Sequence, residues 1–330
     1  MQRLEDESDF PPWHCPISGA RLVPDYDVLV SPDGRRYPVV DDIPRFVSGP
    51  TYADAFGTQW NHYLKTQLDS YSRTSVTRDR LRRCLGEELW SSLRGMHVLE
   101  CGCGAGRFTE ILLDGGALVT SIDLSTAVVA NASNFPVGAR HQVAQADLLR
   151  LPFAPEQFDV VLCLGVIQHT PSPERTIQAL FSHVRPGGHI VIDHYRRNFG
   201  WYLSVKPLIR QVLKRLPAGT ALGITAGLVD IFLPLHRATY QSRTANILLS
   251  RLSPLVHYYG VYSDFSDDVH REWAMLDTHD ALTDWYKHRR TEAQIRAALA
   301  GAGAENIWCE AGGIGVEARA RRSPAVKRTR

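Results

Sequence analysis

Between residues 97 and 106 the chain reads His97-Val98-Leu99-Glu100-Cys101-Gly102-Cys103-Gly104-Ala105-Gly106. A short apolar run that empties into glycines lets backbone approach a ligand closely, at the place where open α/β sheets bind nucleotides. The spacing is G-x-G-x-G rather than the G-x-G-x-x-G of dinucleotide sites, and Glu100 stands two positions before the first glycine. That carboxylate would repel a pyrophosphate, whereas S-adenosyl-L-methionine carries no phosphate and presents an ammonium and a sulfonium. Asp123, seventeen residues past Gly106, ends the next apolar run and can accept from ribose hydroxyls; Asp147 ends the third and can accept from an adenine amino group. Either aspartate alone can also read as a helix cap or turn residue. Three acids at the ends of three successive strands converge on one crevice.

Transfer of a sulfonium methyl is an in-line displacement. It rests on holding nucleophile and methyl in near-attack geometry, with a base only where the nucleophile carries a proton. His169, just beyond the fourth apolar run, and His194, ending the fifth with Tyr195, are the candidate bases. The plainer reading of each is a histidine that packs or bonds its own loop. Gln59 and Trp60, in an aromatic stretch from Tyr52 to Tyr63, are expected in a lid over the cofactor. Tyr195, Tyr286 and His288 are the other candidate substrate contacts, against the reading of ordinary polar surface.

Positioning these residues requires a parallel sheet covered by helices, and from Met96 to about Tyr195 apolar runs do alternate with helical periodicity. Strands are predicted at His97 to Cys101, Ala117 to Ile122, Gln142 to Ala146, Phe158 to Leu164 and His189 to Asp193. The fourth is apolar throughout after Asp159, as a strand buried on both faces should be. Ser172 as N-cap and Pro173 at the first position open a helix whose Ile177, Leu180, Phe181 and Val184 share one face before Pro186-Gly187-Gly188 ends it. The alternation breaks for about ninety residues. It resumes at Thr291, where Thr-Glu-Ala-Gln forms a capping box, and closes with strands at Asn306 to Glu310 and Ile314 to Ala320.

At these residues the sequence resembles the class I SAM-dependent methyltransferases, of the type 11 kind. The resemblance covers about residues 96 to 195 and 291 to 320, through the glycine loop, Ser121-Ile122-Asp123-Leu124-Ser125, Ala146-Asp147-Leu148 and Phe158-Asp159-Val160-Val161-Leu162-Cys163. Gly165-Val166-Ile167-Gln168-His169-Thr170-Pro171 and Arg185-Pro186-Gly187-Gly188 continue it. It implies an α/β fold with a seven-stranded, doubly wound, Rossmann-like sheet whose last strand is antiparallel. It also implies that Glu100, Gly102, Cys103, Gly104 and Gly106 hold the methionine portion, Asp123 and Leu124 the ribose, Asp147 and Leu148 the adenine, with Gly165 at the same crevice. The first 48 residues, through Cys15-Pro16-Ile17-Ser18-Gly19 and Tyr37-Pro38-Val39-Val40-Asp41-Asp42-Ile43-Pro44, are similar to the zinc-ribbon-like Trm112 family. A metal there needs four ligands at paired spacing. Only Cys15 remains, with Ser18 and Ser31 near where partners would lie, so a degenerate, metal-free module or a plain packing cap is expected.

The domains expected are therefore 1–48, the small β module; 49–95, a helical lead-in and lid; 96–195, the cofactor core; 196–290, a helical insertion; 291–320, the core's completion; and 321–330, a basic tail. In the insertion, Val205, Leu208, Ile209, Val212, Leu213 and Leu216 form one apolar helical face opposed by Lys206, Arg210, Lys214 and Arg215. Such a helix either packs on its own fold or a dimer partner, or makes peripheral membrane contact through residues 203–216. Gly219, Gly223 and Gly227 at four-residue spacing suggest close helix packing. The apolar spans Leu124 to Ala139 and Leu216 to Val229 fall short of a bilayer crossing.

The 330 residues are 44% hydrophobic and 22% charged, an ordinary globular composition that excludes a disordered, collagenous or disulfide-stapled chain. Glu5, Asp6, Glu7 and Asp9 cluster at the start and Arg319, Arg321, Arg322, Lys327, Arg328 and Arg330 at the end, as solvated runs. A net charge of +2, without a long basic surface interleaved with aromatics, speaks against nucleic acid. The acidic first residues lack an apolar secretory segment, and six cysteines without framework spacing suit a reducing cytoplasm. A small-molecule or biosynthetic-intermediate acceptor with an O or N nucleophile is expected. Modification of tRNA or a translation protein, or a SAM-binding inactive partner subunit, are the alternatives.

Overall fold

The computed structural model describes residues 9–197, 199–262, 264–313 and 315–325. Glu5, Asp6, Glu7, Lys327, Arg328 and Arg330 of the charged termini lie outside the described residues, as does Ile314.

Strands β1 (Val23–Asp25), β2 (Val28–Val30), β3 (Arg36–Val40) and β4 (Ile43–Pro44) form an antiparallel sheet in sequence order. The Pro32-Asp33-Gly34 turn joins β2 to β3, with the Gly34 amide donating to the Ser31 carbonyl at 2.8 Å. Cys15, Leu22 and Leu29 are its small core, with Trp13, Tyr37 and Phe46 packed around them. Trp13 also lies 5.0 Å, ring to ring, from Phe153 of the larger body, and the Phe46 amide donates to the Gln145 carbonyl. Shared aromatic burial thus fastens the module to the main sheet.

Helices α1 (Asp54–His62), α2 (Asp69–Ser72) and α3 (Val76–Ser91) lead into the core. The core then alternates: β5 (His97–Cys101), α4 (Arg107–Asp114), β6 (Leu118–Asp123), α5 (Ala127–Asn134), β7 (His141–Gln145), β8 (Phe158–Cys163), α6 (Pro173–Ser182) and β9 (Val184–Tyr195). The insertion follows as α7 (Phe199–Tyr202), α8 (Lys206–Leu213), α9 (Ala218–Thr239), α10 (Arg243–Leu252) and α11 (Asp267–Thr283). Helix α12 (Glu292–Gly301) and strands β10 (Glu305–Gly312) and β11 (Gly315–Arg321) complete the sheet. The seven strands run β10-β11-β9-β8-β5-β6-β7, parallel except that β11 is antiparallel to both of its neighbours. Chain order reverses beside β5, so the crevice opens at the carboxyl ends of β5, β6 and β8.

The apolar runs became strands because both sheet faces are covered: Leu99, Ile122, Val161 and Ile190 face one core and Val98, Val119, Val160 and Val191 the other, all fully or almost fully buried. The Thr291 and Gln294 side chains cap α12 reciprocally, as their spacing predicts. Ser172 occupies the N-cap of α6 but its hydroxyl makes no capping bond, leaving Pro173 as the start signal.

Three expectations are corrected. Pro186-Gly187-Gly188 does not end a helix into a loop; it lies inside β9, which begins at Val184. A side chain at Gly188 would stand 2.7 Å from the Asp159 carbonyl oxygen, the close approach of strands that requires glycine. The glycines of α9 mediate no close packing, since nothing lies within 4 Å of a Cβ built at Gly219, Gly223 or Gly227. The helix buries the other side, through Ala221, Thr225, Val229, Leu233 and His236, and continues past Asp230 to 22 residues, so by length and composition it is long enough to cross a bilayer.

The third correction concerns α8, whose amphipathic pattern is partly reversed. Arg210 turns inward, its Nε 2.5 Å from Asp284 Oδ1, and Lys206 donates to the Ser253 carbonyl at 3.2 Å, while Leu208 and Val212 are 74% and 61% exposed. A buried carboxylate has claimed the arginine, and ion pairing there outweighs the apolar pattern.

Candidate active site

A cavity of about 1170 Å³ opens over the glycine loop between the core and the insertion. It exceeds the roughly 300–1,000 Å³ of a single-ligand pocket and suits two ligands side by side. Gly102, Cys103 and Gly104 form its floor, with Asp123, Leu124, Leu148 and Gly165 around them.

Local geometry explains the glycines. Gly102 and Gly104 have φ of +78° and +51°, a left-handed region that other residues enter at a cost. A side chain at Gly102 would collide with Val166, and one at Gly104 would stand 3.1 Å from the indole of Trp60. Trp60, carried by α1, therefore stands against the loop at Gly104. Gly106 is the N-cap of α4 and does not line the cavity.

Asp123 Oδ2 accepts the Gly104 amide at 3.0 Å and Oδ1 accepts the Ser125 amide and hydroxyl, so the carboxylate is fixed at the end of β6. Burial raises its pKa, against these hydrogen bonds. Glu100 lies behind the loop rather than on the cavity wall. It is 2% exposed, and its Oε2 accepts from Thr109 at 2.5 Å and Ser121 at 3.0 Å. Its Oε1 has no partner, and burial pushes the carboxyl up to about 7. An unsatisfied buried acid beneath the loop fits a cationic ligand above it, whose field would favour ionisation. Asp147 lines a smaller neighbouring cleft with Leu124, Tyr52 and Arg150, and accepts its own loop's Leu149 amide. Carboxylates that accept hydrogen bonds, set at the ends of these strands, thus suit the hydroxyls of adenosine and a sulfonium rather than a pyrophosphate.

Arg107, the first residue of α4, was not singled out by sequence. It lines the cavity, donates to Gln67 Oε1 at 2.9 Å and lies over the Phe108 and Trp273 rings. Burial lowers its pKa to about 10. Among the described residues it forms no salt bridge, which leaves a cation beside the loop for a ligand carboxylate.

On the opposite wall, His169 sits in a single 3₁₀ turn (Ile167–His169) after β8 and is 5% exposed. Its Nδ1 lies 3.1 Å from Asp284 Oδ2 and 3.2 Å from the Tyr286 carbonyl, and its Nε2 lies 3.6 Å from Asp280 Oδ1. Phe56 and Tyr195 hold the ring edge-on at 5.3 Å each. Asp284 is fixed in turn by Arg210 and by Lys287, whose Nζ is 2.6 Å from Oδ2. Burial would raise the Asp284 pKa, but Lys287, His169 and Arg210 outweigh it and hold the carboxyl below its usual range. Asp280 goes the other way, raised by burial despite His169 and Lys287. An imidazole thus stands between a carboxylate kept ionised and one pushed towards protonation. His169, Asp280 and Asp284 offer ligand atoms within 4.8 Å of one another, a cation-sized cluster, but Lys287 and Arg210 already supply positive charge to Asp284.

The other candidates divide. Tyr195 lines the cavity, its hydroxyl 3.5 Å from Asp280, and burial raises its pKa well above the usual phenol value. Gln59 lines it and pairs with His279 at 2.6 Å. His194 is corrected: it is fully buried, bonds the Tyr195 carbonyl, does not line the cavity and is lowered by burial to about 4. Tyr286 and His288 stack on each other 6.2 Å apart, also off the cavity wall; Tyr286 packs edge-on against Tyr52, and the His288 amide donates to the Gln168 carbonyl. Asp284 was not singled out by sequence, although Asp277, Asp280 and Asp284 recur at intervals of three and four along α11 and its C-cap. Tyr258, Tyr262, Phe265 and Trp273 from the insertion form an aromatic cluster on the cavity's far side, with the Tyr258 hydroxyl on Asp277.

Residues 99–192 match the model of a methyltransferase domain family. A ubiquinone biosynthesis O-methyltransferase from Pseudomonas putida (strain GB-1) is 38% identical over 133 residues, 39% of this chain and 57% of that protein. One from Coxiella burnetii (strain Dugway 5J108-111) is 32% identical over 133 residues, 39% and 56% of the two chains. The chain thus spans a little over half the length of these curated relatives. Among solved structures, magnesium protoporphyrin IX methyltransferase from Synechocystis PCC 6803 with bound SAH overlaps 76% of this chain and 95% of its own, at 16% identity and a TM-score of 0.37.

Proposed function

We propose, on the premise that residues 99–192 are an S-adenosylmethionine-dependent methyltransferase domain, that the whole chain methylates a hydroxyl group of an apolar small molecule. The observation that carries this is the pairing, across one cavity, of the glycine loop with a histidine backed by a fixed carboxylate. The cofactor supplies an electrophilic methyl on sulfur. Gly102, Gly104 and Trp60 enclose its position, Asp123 takes the ribose hydroxyls, Arg107 the carboxylate, and Leu124, Leu148 and the neighbouring Asp147 the base. Glu100 acts through its field from beneath the loop.

His169 would accept the acceptor's hydroxyl proton on Nε2, leaving the oxygen as the nucleophile for the methyl that a bound cofactor would supply, with its sulfur as the leaving group. Asp284 holds the Nδ1 side, fixing the tautomer and stabilising the imidazolium that forms. Tyr258, Tyr262, Phe265 and Trp273 give an aromatic wall for a flat, apolar acceptor and exclude water. The O-methyltransferase relatives support an oxygen nucleophile. The first 48 residues we read as a degenerate Trm112-like module: Cys15 lies 3.1 Å from the Tyr37 hydroxyl, and Ser18 is 3.4 Å from Ser31, at the places where metal ligands would gather. We place the protein in the cytoplasm.

The test is methyl transfer from isotopically labelled S-adenosylmethionine into a panel of catechols, phenols and matched amines, with S-adenosylhomocysteine measured in parallel. Labelled aryl ethers, lost in His169→Ala without loss of cofactor binding, are expected. Turnover of amines alone, or full turnover in His169→Ala, would overturn the assignment.

A further inference from the structure

Beside its buried stripe, the insertion leaves many large apolar side chains exposed. Of the 20 large hydrophobic residues exposed among the described residues, 12 lie between Tyr202 and Trp285. Along α9, Ile224, Ile231 and Leu235 share the face opposite its buried stripe. On α10 no residue is buried, and Ile247, Leu248 and Leu252 are all more than half exposed. The start of α8 is tied to the end of α10: the Val205 amide donates to the Arg251 carbonyl at 3.0 Å and Lys206 to the Ser253 carbonyl. Tyr202, Leu203 and Leu208, before and along α8, are exposed as well. Exposed apolar side chains gathered on three linked helices mark a surface that something covers.

Charge indicates what covers it. From Arg196 to Leu252 the chain holds nine Lys and Arg and one acid, Asp230, which is paired with Arg271 at 2.8 Å. Arg196, Arg197, Arg215 and Arg243 of that set are exposed. The remainder of the chain carries 28 Lys and Arg against 34 Asp and Glu. The molecule is therefore polarised, with a basic, leucine-bearing end and an acidic body. A second copy of the same basic face would be repelled, whereas an anionic lipid surface attracts the insertion and repels the body.

We propose that the outward face of α8, α9 and α10 lies on an anionic bilayer surface, with the apolar side chains in the acyl boundary and the arginines at the headgroups. Helix α9 lies along the surface: one side is held by the protein through Val229 and Leu233, and Asp230 is tied to α11. Trp201 and Val261 line the cavity next to this face, so its mouth opens beside the lipid and a lipophilic acceptor can enter without crossing water. The docking itself does not depend on which group is methylated.

Co-sedimentation of the full chain with phosphatidylglycerol vesicles and with phosphatidylcholine vesicles tests this. Binding to the anionic vesicles, weakened by added salt, is expected. Each exposed basic residue contributes about fivefold to partitioning, so Arg215→Glu with Arg243→Glu should lower it by about 25-fold or more. Leu208→Ser with Leu252→Ser should lower it by at least about tenfold. Calorimetric S-adenosylmethionine affinity, unchanged in both pairs, shows that they remain folded. Failure of the wild-type chain to bind anionic vesicles would overturn the proposal. So would a dimer in sedimentation velocity that Leu208→Ser with Leu252→Ser dissociates while vesicle binding is absent, which would assign the face to a second copy.

Discussion

Replacing Asp284 by asparagine keeps the side chain's size and removes its charge, which makes it the sharpest probe of the histidine. Asp284 is 1% exposed and faces three potential cations: Arg210, Lys287 and His169, whose side chains are 11%, 6% and 6% exposed. Because its carboxyl is held below the usual range, its stabilisation is present above about pH 4 and is lost only as pH falls through the lowered folded-state value. At neutral pH the substitution therefore removes a full charge. Stranding two buried cations against a neutral amide costs about 3–5 kcal/mol, a large part of the roughly 5–15 kcal/mol that holds a domain together. The variant should lower the denaturant midpoint yet fold at low temperature. There, kcat should fall by about 10²–10⁴, the range of a general base, because the amide no longer fixes the Nδ1 tautomer or balances the imidazolium. S-adenosylmethionine affinity should be retained, since Asp284 does not touch the glycine loop. Single-turnover methyl transfer in Asp284→Asn, His169→Ala and the double variant is the assay, and the double should be no slower than His169→Ala alone. A loss in Asp284→Asn under about tenfold, well short of the roughly 10²-fold minimum expected of a base, or fully additive losses, would refute the coupling.

Burial pushes the Glu100 carboxyl up to about 7, so near neutral pH it is only partly ionised. A carboxyl raised to about 7 makes the folded state bind more protons than the unfolded one, so its contribution to stability falls as pH rises from about 4.5 to 7. Glu100→Gln should therefore gain stability over wild type as pH rises through that window, by about 3 kcal/mol at pH 8 in urea melts; a pH-independent difference would contradict it. Five histidines, His141, His194, His236, His257 and His279, are lowered to about 4 by burial, so the unfolded chain takes up their protons between pH 6.5 and 4 and stability drops as pH falls. Glu100 and Asp277, raised to about 7 and about 6, oppose this, but the histidines outnumber them, so unfolding near pH 5 should show net proton uptake, read from the pH dependence of the urea midpoint. Trp60→Ala uncovers Gly104 and should weaken S-adenosylmethionine binding by about 30-fold, the loss typical of an aromatic anchor; unchanged calorimetric affinity would remove Trp60 from the site. Chelation should leave turnover intact, because Lys287 and Arg210 already neutralise the acids beside His169.

The sheet was legible because its strands are buried on both faces, so an apolar run such as Phe158–Cys163 has one stable placement. The glycine loop was legible because its ligand contacts are backbone, and only glycine permits that geometry at Gly102 and Gly104. The insertion was not. The pattern of α8 predicts which side chains could pack together, but Asp284, 74 residues from Arg210, decides which way the helix faces. His194 read like His169 in sequence because each follows a predicted strand. His194 is a buried residue of β9 off the cavity wall, whereas His169 follows β8 and lines the cavity.

The central claim is that the crevice at β5 holds S-adenosylmethionine rather than a dinucleotide. Titration calorimetry of the purified chain with S-adenosylmethionine and, separately, with NAD tests it most directly. One site per chain for S-adenosylmethionine, with no heat from NAD, is the predicted result; tight NAD binding without S-adenosylmethionine binding would contradict it.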